Sequence, residues 1–88
     1  MNYRVEWEQD AVDALERLDV TIVHRILLRI SWLSTNLDNI KPQALAENLK
    51  SYFKLRVRDY RVIYSIVREN RLLVIEDVGH RRDIYKSS

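Results

Sequence analysis

The sequence predicts an α+β fold in which an N-terminal strand and a helical hairpin pack on one face of an antiparallel sheet with a three-stranded C-terminal meander. Apolar and polar residues alternate with the period of a strand near the N-terminus and again after residue 52, whereas residues 9–36 show the period of a helix. The gaps between successive patterns are short, which favours antiparallel neighbours. A chain of 88 residues has room for one core, so we expect a single domain over residues 1–88.

The first half of the chain predicts one strand and two helices. Residues 3–7 alternate apolar and polar side chains, and a helical pattern begins at Gln9. Asp19 suits the N-cap of a second helix, because its carboxylate can accept a backbone N–H from the first turn. That helix is expected to end near Asn36, before a loop that contains the single proline. Two tryptophans lie on the apolar stripes and are expected in the core: Trp7 and Trp32.

The second half predicts three strands. Residues 44–49 are expected to form a short turn or an extended segment, and residues 53–57 alternate apolar and basic side chains. Residues 61–67 are apolar on both sides, which is typical of a central strand. A tight hairpin turn is predicted at Glu69-Asn70, since asparagine tolerates positive φ, before a third strand over residues 72–78.

The composition excludes several classes of function. The absence of cysteine excludes a disulfide framework, a thiolate metal site and a cysteine nucleophile. One glycine is too few for a phosphate-binding loop, and no cluster of His, Asp and Glu has the spacing of a metal site. No apolar run approaches the roughly 18 residues that span a bilayer, and the N-terminus lacks the apolar region of a signal peptide. We therefore expect a soluble, cytoplasmic protein with no cofactor, no metal and no membrane partner.

Charge is unevenly distributed along the chain. Residues 1–40 carry four arginines and seven acidic residues, a net −3, and residues 41–88 carry 11 basic and 6 acidic residues, a net +5. The two halves sum to the net charge of +2. A basic C-terminal half favours a polyanionic partner.

Cations concentrate on one predicted strand. Lys54, Arg56 and Arg58 share one face of it, and such close like charges repel one another unless an anion lies beside them. Arg61 begins the next strand. If the strands pair in sequence order, Arg61 and Arg81 lie at the same end of the sheet. A solvated face, or an edge strand protected by charge, is an equal alternative for the first three residues.

The C-terminal tail adds an aromatic ring and further basic residues. Tyr85 follows Arg81 by four residues, with Arg82 between them and His80 before them. Basic grooves with aromatic side chains are typical of proteins that bind single-stranded nucleic acid. RNA supplies its own nucleophile, the 2′-hydroxyl, so cleavage needs arginines to hold the phosphate and a base such as a lysine among cations. These residue types are therefore consistent with a metal-free ribonuclease.

Four segments carry a resemblance to a known family: residues 3–7 (Tyr-Arg-Val-Glu-Trp), 14–19 (Ala-Leu-Glu-Arg-Leu-Asp), 55–64 (Leu-Arg-Val-Arg-Asp-Tyr-Arg-Val-Ile-Tyr) and 78–85 (Val-Gly-His-Arg-Arg-Asp-Ile-Tyr). The last two are the specific ones. Together the segments resemble the RelE family of bacterial toxin–antitoxin ribonucleases, within the RelE/ParE toxin superfamily. The resemblance implies a RelE-like fold. It also implies a ribosome-dependent, metal-independent mRNA endonuclease that cleaves in the A site by attack of the 2′-hydroxyl.

The resemblance also implies roles for individual residues. Arg61 corresponds to a family arginine that holds the scissile phosphate, and Arg81 to one that acts as general acid or stabilises the transition state. Tyr85 corresponds to a tail tyrosine that stacks on the substrate base. Lys54 and Arg56 occupy the basic strand positions, one of which is the general base. Three further residues are implied in RNA binding: Arg58, at a position that is often glycine or small in the family, His80 and Arg82.

The resemblance implies three partners: an acidic, RelB-like cognate antitoxin, the 70S ribosome and mRNA. Two other functions are compatible with the same residues. One is a ParE-like toxin that inhibits DNA gyrase by binding, without catalysis. The other is an RNA-binding module whose groove binds RNA but does not cut it.

Overall fold

Within residues 2–46 and 51–84, which the computed structural model describes, the chain forms five strands and two α-helices. In chain order these are β1 (Arg4–Trp7), α1 (Gln9–Glu16), α2 (Val20–Asn36), β2 (Gln43–Ala44), β3 (Phe53–Val57), β4 (Tyr60–Val67) and β5 (Leu72–His80). A 3-10 turn follows α2 at Leu37–Asn39, and another precedes β5 at Arg68–Asn70. The elements appear in the predicted order, with β2 as an additional short strand.

The strands form one sheet in the order β1-β5-β4-β3-β2. Because β3, β4 and β5 pair antiparallel in sequence order, the predicted meander and the α+β class are confirmed. The predicted position of the N-terminal strand, with the helices on one face of an antiparallel sheet, is wrong, because β1 lies in the sheet itself and pairs with β5 in parallel. The helices carry the chain from one edge of the sheet to the other, and the meander then returns β5 to a position beside β1.

Both helices begin and end close to their predicted positions. The Asp19 carboxylate accepts a hydrogen bond from the backbone N–H of Thr21 at 3.2 Å, which confirms the predicted N-cap of α2. α1 packs against β5, and α2 packs against β3. Of the predicted segment 44–49, Ala44 pairs with Phe53 at the edge of the sheet, and residues 47–49 lie outside the described residues.

The core lies between the two helices and one face of the sheet. Side chains of α2 meet those of β4 and β5 there, and the largest fully buried ones include Ile26, Leu33, Val62, Tyr64, Leu73 and Ile75. Burial raises the pKa of Tyr64 to about 12, against an opposing effect of Arg68. Trp7 packs against this core as predicted.

Trp32 does not lie in the core. Its side chain is exposed on the outer side of α2, with the Arg29 guanidinium 4.8 Å from the ring centroid. Successive residues of a helix are about 100° apart, so only Leu33, and not its neighbour Trp32, faces the sheet. The prediction treated any tryptophan in the helical pattern as a packing residue, and it is wrong here.

The β4–β5 connection also differs from the prediction. The turn at Arg68–Asn70 is a 3-10 turn, and the residue with positive φ is Arg71 (φ 50°) rather than Asn70. The Arg71 guanidinium donates to Asp38 at 2.9 Å and lies 4.3 Å from the centroid of the Tyr3 ring. These tertiary contacts offset the steric cost of the left-handed backbone, which the sequence of the turn alone does not reveal.

Candidate functional site

The face of the sheet opposite the helices carries the predicted cations. Leu55, Val57 and Val62 point into the core, so the residues that alternate with them on β3 and β4 point away from it. Arg56 pairs directly with Arg61, and Lys54 with Ile63. Because opposite residues of an antiparallel pair lie on the same side of a sheet, Lys54, Arg56 and Arg61 share this open face.

Arg61 is held by the turn that joins β3 to β4. Its Nη1 donates to the carbonyl oxygen of Arg58 at 3.1 Å and to that of Tyr60 at 3.0 Å. On the neighbouring strand β5, Glu76 accepts a hydrogen bond from Ser65 Oγ at 2.7 Å. A guanidinium has five N–H donors, so the two bonds made by Nη1 leave its Nε–Nη2 edge for a phosphate.

Arg81 is tied to the same turn. Its backbone N–H donates to the carbonyl oxygen of Asp59 at 2.7 Å, and its Nε lies 3.8 Å from Asp59 Oδ1. Arg61 pairs with Gly79, two residues before Arg81. The structure therefore brings Arg61 and Arg81 to one end of the sheet, where both contact the β3–β4 turn at Arg58 and Asp59.

Two other predicted RNA-binding residues are exposed beside these arginines. Arg58 forms part of the turn itself, with a positive φ of 56°. Arg82 follows β5, and its backbone N–H donates to Nδ1 of His80 at 3.1 Å. Both side chains are exposed, so each adds positive charge at this end of the sheet.

The structure does not place His80 on the open face. His80 pairs with Tyr60, whose side chain packs against the core, and the two rings meet edge to face with centroids 5.3 Å apart. His80 accordingly lines a groove of about 730 Å³ beside α1. The His80 side chain, which was predicted to bind RNA, therefore lies on the other side of the sheet from Arg56 and Arg61.

That groove is acidic where the open face is basic. Its charged and polar lining comprises Asp10, Asp13, Arg17, Asp77, His80 and Asp83. Burial raises the pKa of Asp77, and Asp10 contributes in the same direction, whereas the backbone N–H of Val78 and the Arg17 guanidinium oppose the shift. A negatively charged groove does not suit a phosphate, so of the two surfaces only the open face is a candidate for binding a polyanion.

Gly79 has a local role that the sequence analysis did not assign. A Cβ added at this position would approach Ile84 Cδ1 to 3.0 Å, because the chain folds back after β5. The backbone N–H of Ile84 donates to the carbonyl oxygen of His80 at 2.9 Å and closes this turn. As the one glycine of the sequence, it was a signal that another segment approaches the backbone closely at this position.

Tyr85, the predicted stacking residue, follows this turn and lies outside the described residues.

A metal-binding cluster and a membrane-spanning helix are both absent from residues 2–46 and 51–84. No group of three or more His, Asp or Glu side chains in this part of the chain is arranged to hold a metal ion. No helix within the same ranges is long and apolar enough to cross a membrane.

Comparison with known protein families gives a match that spans most of the chain. The model of the family described as the ParE toxin of type II toxin–antitoxin system, parDE, matches residues 5–85. The chain belongs to this family. It is a toxin of a type II toxin–antitoxin system, which confirms the predicted place in the RelE/ParE superfamily.

The toxin is also similar to RelE proteins. A putative RelE-like toxin protein of Escherichia coli is 26% identical over 89 residues, which cover 97% of this chain and 92% of that relative. The RelBE2 toxin–antitoxin complex of Mycobacterium tuberculosis matches with a TM-score of 0.77 and 26% identity, over 92% of this chain and 100% of the other. The RelE–RelB complex of Pyrococcus horikoshii matches with a TM-score of 0.72 and 25% identity, over 94% and 99%.

Proposed function

We propose that this toxin is a ribosome-dependent, metal-independent endonuclease that cleaves mRNA in the A site. The observation that carries the proposal is that Lys54, Arg56 and Arg61 share one open sheet face, and that Arg61 and Arg81 lie at the same end of the sheet. The resemblance of residues 55–64 and 78–85 to RelE ribonucleases supports the same function. A solvated strand face does not require an arginine of β4 and an arginine that follows β5 to contact the same turn.

The proposed chemistry uses the substrate's own nucleophile. The 2′-hydroxyl attacks the adjacent phosphorus, a base removes its proton, and the bond to the 5′-oxygen breaks to leave a 2′,3′-cyclic phosphate and a 5′-hydroxyl. Arg61 would hold the phosphate through its Nε–Nη2 edge, and Arg81 would stabilise the developing charge or protonate the leaving oxygen. Lys54 or Arg56 would act as base, and Tyr85 would stack on the substrate base. The ribosome would align the mRNA for in-line attack.

A cleavage assay on 70S ribosomes programmed with mRNA tests the proposal. Arg61→Ala and Arg81→Ala are each expected to lower the single-turnover cleavage rate by about 10²- to 10³-fold, as removal of a transition-state donor does. Arg17→Ala is the matched control, because Arg17 is an exposed arginine on the opposite side of the sheet. It is expected to cleave like the wild type.

Folding must be separated from catalysis at Arg61, because its Nη1 bonds also hold the β3–β4 turn. Arg61→Lys retains the charge but loses the planar two-donor edge, so it should keep most of the stability and still lose cleavage. Equal cleavage by the wild type and both alanine variants would refute the assignment of these arginines.

ParE-like inhibition of DNA gyrase is a second candidate, because the matching family is described as the ParE toxin. It predicts DNA-damage signalling with intact mRNA when the toxin is expressed. A non-cleaving RNA-binding module is the third, and it predicts binding to programmed ribosomes without cut mRNA. Mapping of mRNA 5′ ends after induction separates both from the proposed endonuclease.

We further propose an acidic, RelB-like antitoxin as the partner of this toxin, with residues 1–88 as one toxin domain that acts in the cytoplasm. RelE–RelB complexes are among the similar structures, from Pyrococcus horikoshii at 25% identity and from Mycobacterium tuberculosis as RelBE2. The basic open face would attract an acidic chain. Co-purification with the product of the adjacent reading frame tests this part of the proposal.

A further inference from the structure

The turn Arg81–Ile84 follows β5, and its four consecutive backbone N–H groups all donate within the protein. The first, that of Arg81, donates to the carbonyl oxygen of Asp59 at 2.7 Å. The other three donate to His80. The N–H of Arg82 donates to Nδ1 of the ring at 3.1 Å, and those of residues 83 and 84 donate to the His80 carbonyl oxygen at 2.8 and 2.9 Å. His80 therefore accepts most of the bonds that close this turn.

The bonds that His80 accepts are those of an N-cap residue. Such a residue accepts an N–H of the first turn through its side chain and later N–H groups through its carbonyl oxygen. Asparagine is among the preferred residues there because its side-chain oxygen reaches that N–H. Nδ1 of histidine is the same number of bonds from Cα as Oδ1 of asparagine, and it accepts a hydrogen bond when it carries no proton. The imidazole of His80 thus takes the place of a capping oxygen.

The ring of His80 also packs against its neighbour on β4. It meets the Tyr60 ring edge to face, with centroids 5.3 Å apart, and lines the groove beside α1. Its side chain lies on the other side of the sheet from Arg61, so it does not face a phosphate that Arg61 would hold. An influence of His80 on the candidate site has to pass through the backbone of the turn.

The side chain of Arg81 is held only weakly by its ion pair. Its Nε lies 3.8 Å from Asp59 Oδ1, and the two side chains are 50% and 65% exposed. Exposed pairs of this kind contribute little to a fixed geometry. The backbone of Arg81 is better fixed, because its own N–H is bonded to Asp59 and the next N–H along the chain is bonded to His80. The direction of the guanidinium therefore depends on the shape of the turn.

We propose that His80 is a positioning residue for Arg81. By accepting the Arg82 N–H at Nδ1, it fixes the bend of the chain at residue 81 and so directs the Arg81 guanidinium toward the substrate phosphate. The inference rests on the proposed endonuclease and adds a residue that acts on its site without contact with the RNA. A displacement of a reactive group by about 1 Å can slow a reaction about 10²-fold, so a cap of this kind matters for the rate.

Two substitutions separate the acceptor of His80 from its ring. His80→Asn keeps an acceptor at the place of Nδ1 and removes the ring, whereas His80→Phe keeps a ring against Tyr60 and removes the acceptor. Single-turnover cleavage on programmed ribosomes should stay within about threefold of the wild type in His80→Asn and fall about 10- to 100-fold in His80→Phe. Thermal unfolding verifies that both variants are folded at the assay temperature.

A double-mutant cycle tests whether His80 acts through Arg81. In the Arg81→Ala background, His80→Phe should lower the cleavage rate by less than about twofold further, because the group that it positions is already absent. A loss as large as that in the wild-type background would show that His80 acts independently of Arg81 and would overturn the positioning role.

The other outcomes are equally decisive. Equal loss of cleavage in His80→Asn and His80→Phe would show that the imidazole itself takes part in the reaction, and loss in His80→Asn alone would assign its role to packing against Tyr60. Wild-type cleavage in both would show that the site does not depend on Nδ1. Each of these results overturns the proposal.

Hydrogen exchange of the Arg82 amide, measured by NMR on the toxin alone, keeps this inference separate from the nuclease activity. Exchange should be faster in His80→Phe than in the wild type and His80→Asn, because the amide has lost its acceptor. Identical exchange in all three proteins would refute the cap. A wild-type toxin that cuts no mRNA but shows the expected exchange pattern refutes the endonuclease and leaves the cap by His80 in place.

Discussion

At the scale of single residues, the β3–β4 turn combines an unusual backbone conformation with a contact to a proposed site residue. Arg58 adopts a positive φ of 56°, in which the Cβ of an L-residue approaches the backbone too closely. Its carbonyl oxygen nevertheless accepts the Arg61 guanidinium at 3.1 Å. The strained backbone therefore presents an acceptor that fixes a proposed phosphate-binding arginine.

Replacement of Arg58 by glycine should stabilise the protein. Arg58→Gly relieves the left-handed conformation, and we expect the free energy of unfolding to rise by about 0.5–1 kcal/mol. Urea denaturation measures this as a higher midpoint at an unchanged slope. Arg56→Gly is the matched control, since Arg56 lies in extended backbone within β3 and its replacement should lower the midpoint. A lower midpoint in Arg58→Gly would show that the turn carries no strain.

At the scale of secondary-structure elements, α2 has two apolar sides with different energetic roles. Leu33 is completely buried against the sheet, whereas Leu28, a little more than one turn earlier, is 59% exposed. Burial stabilises the fold only where apolar surface leaves water, so the first side holds the helix on the sheet and the second contributes little to stability.

Two alanine variants distinguish these sides. Leu33→Ala should lower the free energy of unfolding by about 2–5 kcal/mol, because it removes a packed side chain and leaves a cavity. Leu28→Ala, the same chemical change on the same helix, should alter it by less than about 0.5 kcal/mol. Thermal or urea unfolding measures both values. Equal losses would mean that Leu28 packs against the protein as closely as Leu33 does.

At the scale of the whole molecule, one polar network joins segments that are distant in sequence. The Tyr3 hydroxyl donates to Asp38 at 3.0 Å, and Arg71 donates to the other carboxylate oxygen at 2.9 Å. Arg68 donates to the Tyr3 hydroxyl at 3.3 Å. The network connects the N-terminus, the turn after α2 and the β4–β5 connection.

This network makes stability depend on pH. The hydrogen bond from Arg71, and then that from Tyr3, hold the pKa of Asp38 below its ordinary value of 3.8. A carboxyl whose pKa is depressed by folding stabilises the native state above its unfolded pKa and loses that contribution as the pH falls through the folded value. The wild type should therefore be more stable than Asp38→Asn at pH 6, and the difference should shrink as the pH is lowered below about 4.

Chemical denaturation at a series of pH values measures that difference. Glu16→Gln, a change to an exposed carboxylate on α1, is the control and should differ little from the wild type at any pH. A difference between wild type and Asp38→Asn that stays constant down to pH 2 would show that the Asp38 carboxylate contributes nothing to the network through its charge.

Periodicity and capping residues in the sequence predicted the helices and strands. The alternation along β3 predicted which basic residues share one face of that strand. These are local properties, because side-chain direction repeats every two residues in a strand and about every 3.6 in a helix. The pairing of Arg56 with Arg61, the parallel pairing of β1 with β5, and the exposure of Trp32 depended on contacts between segments far apart in the chain. Local patterns do not contain those contacts. Register and helix rotation follow from which arrangement buries the most apolar surface, and that is a property of the assembled core.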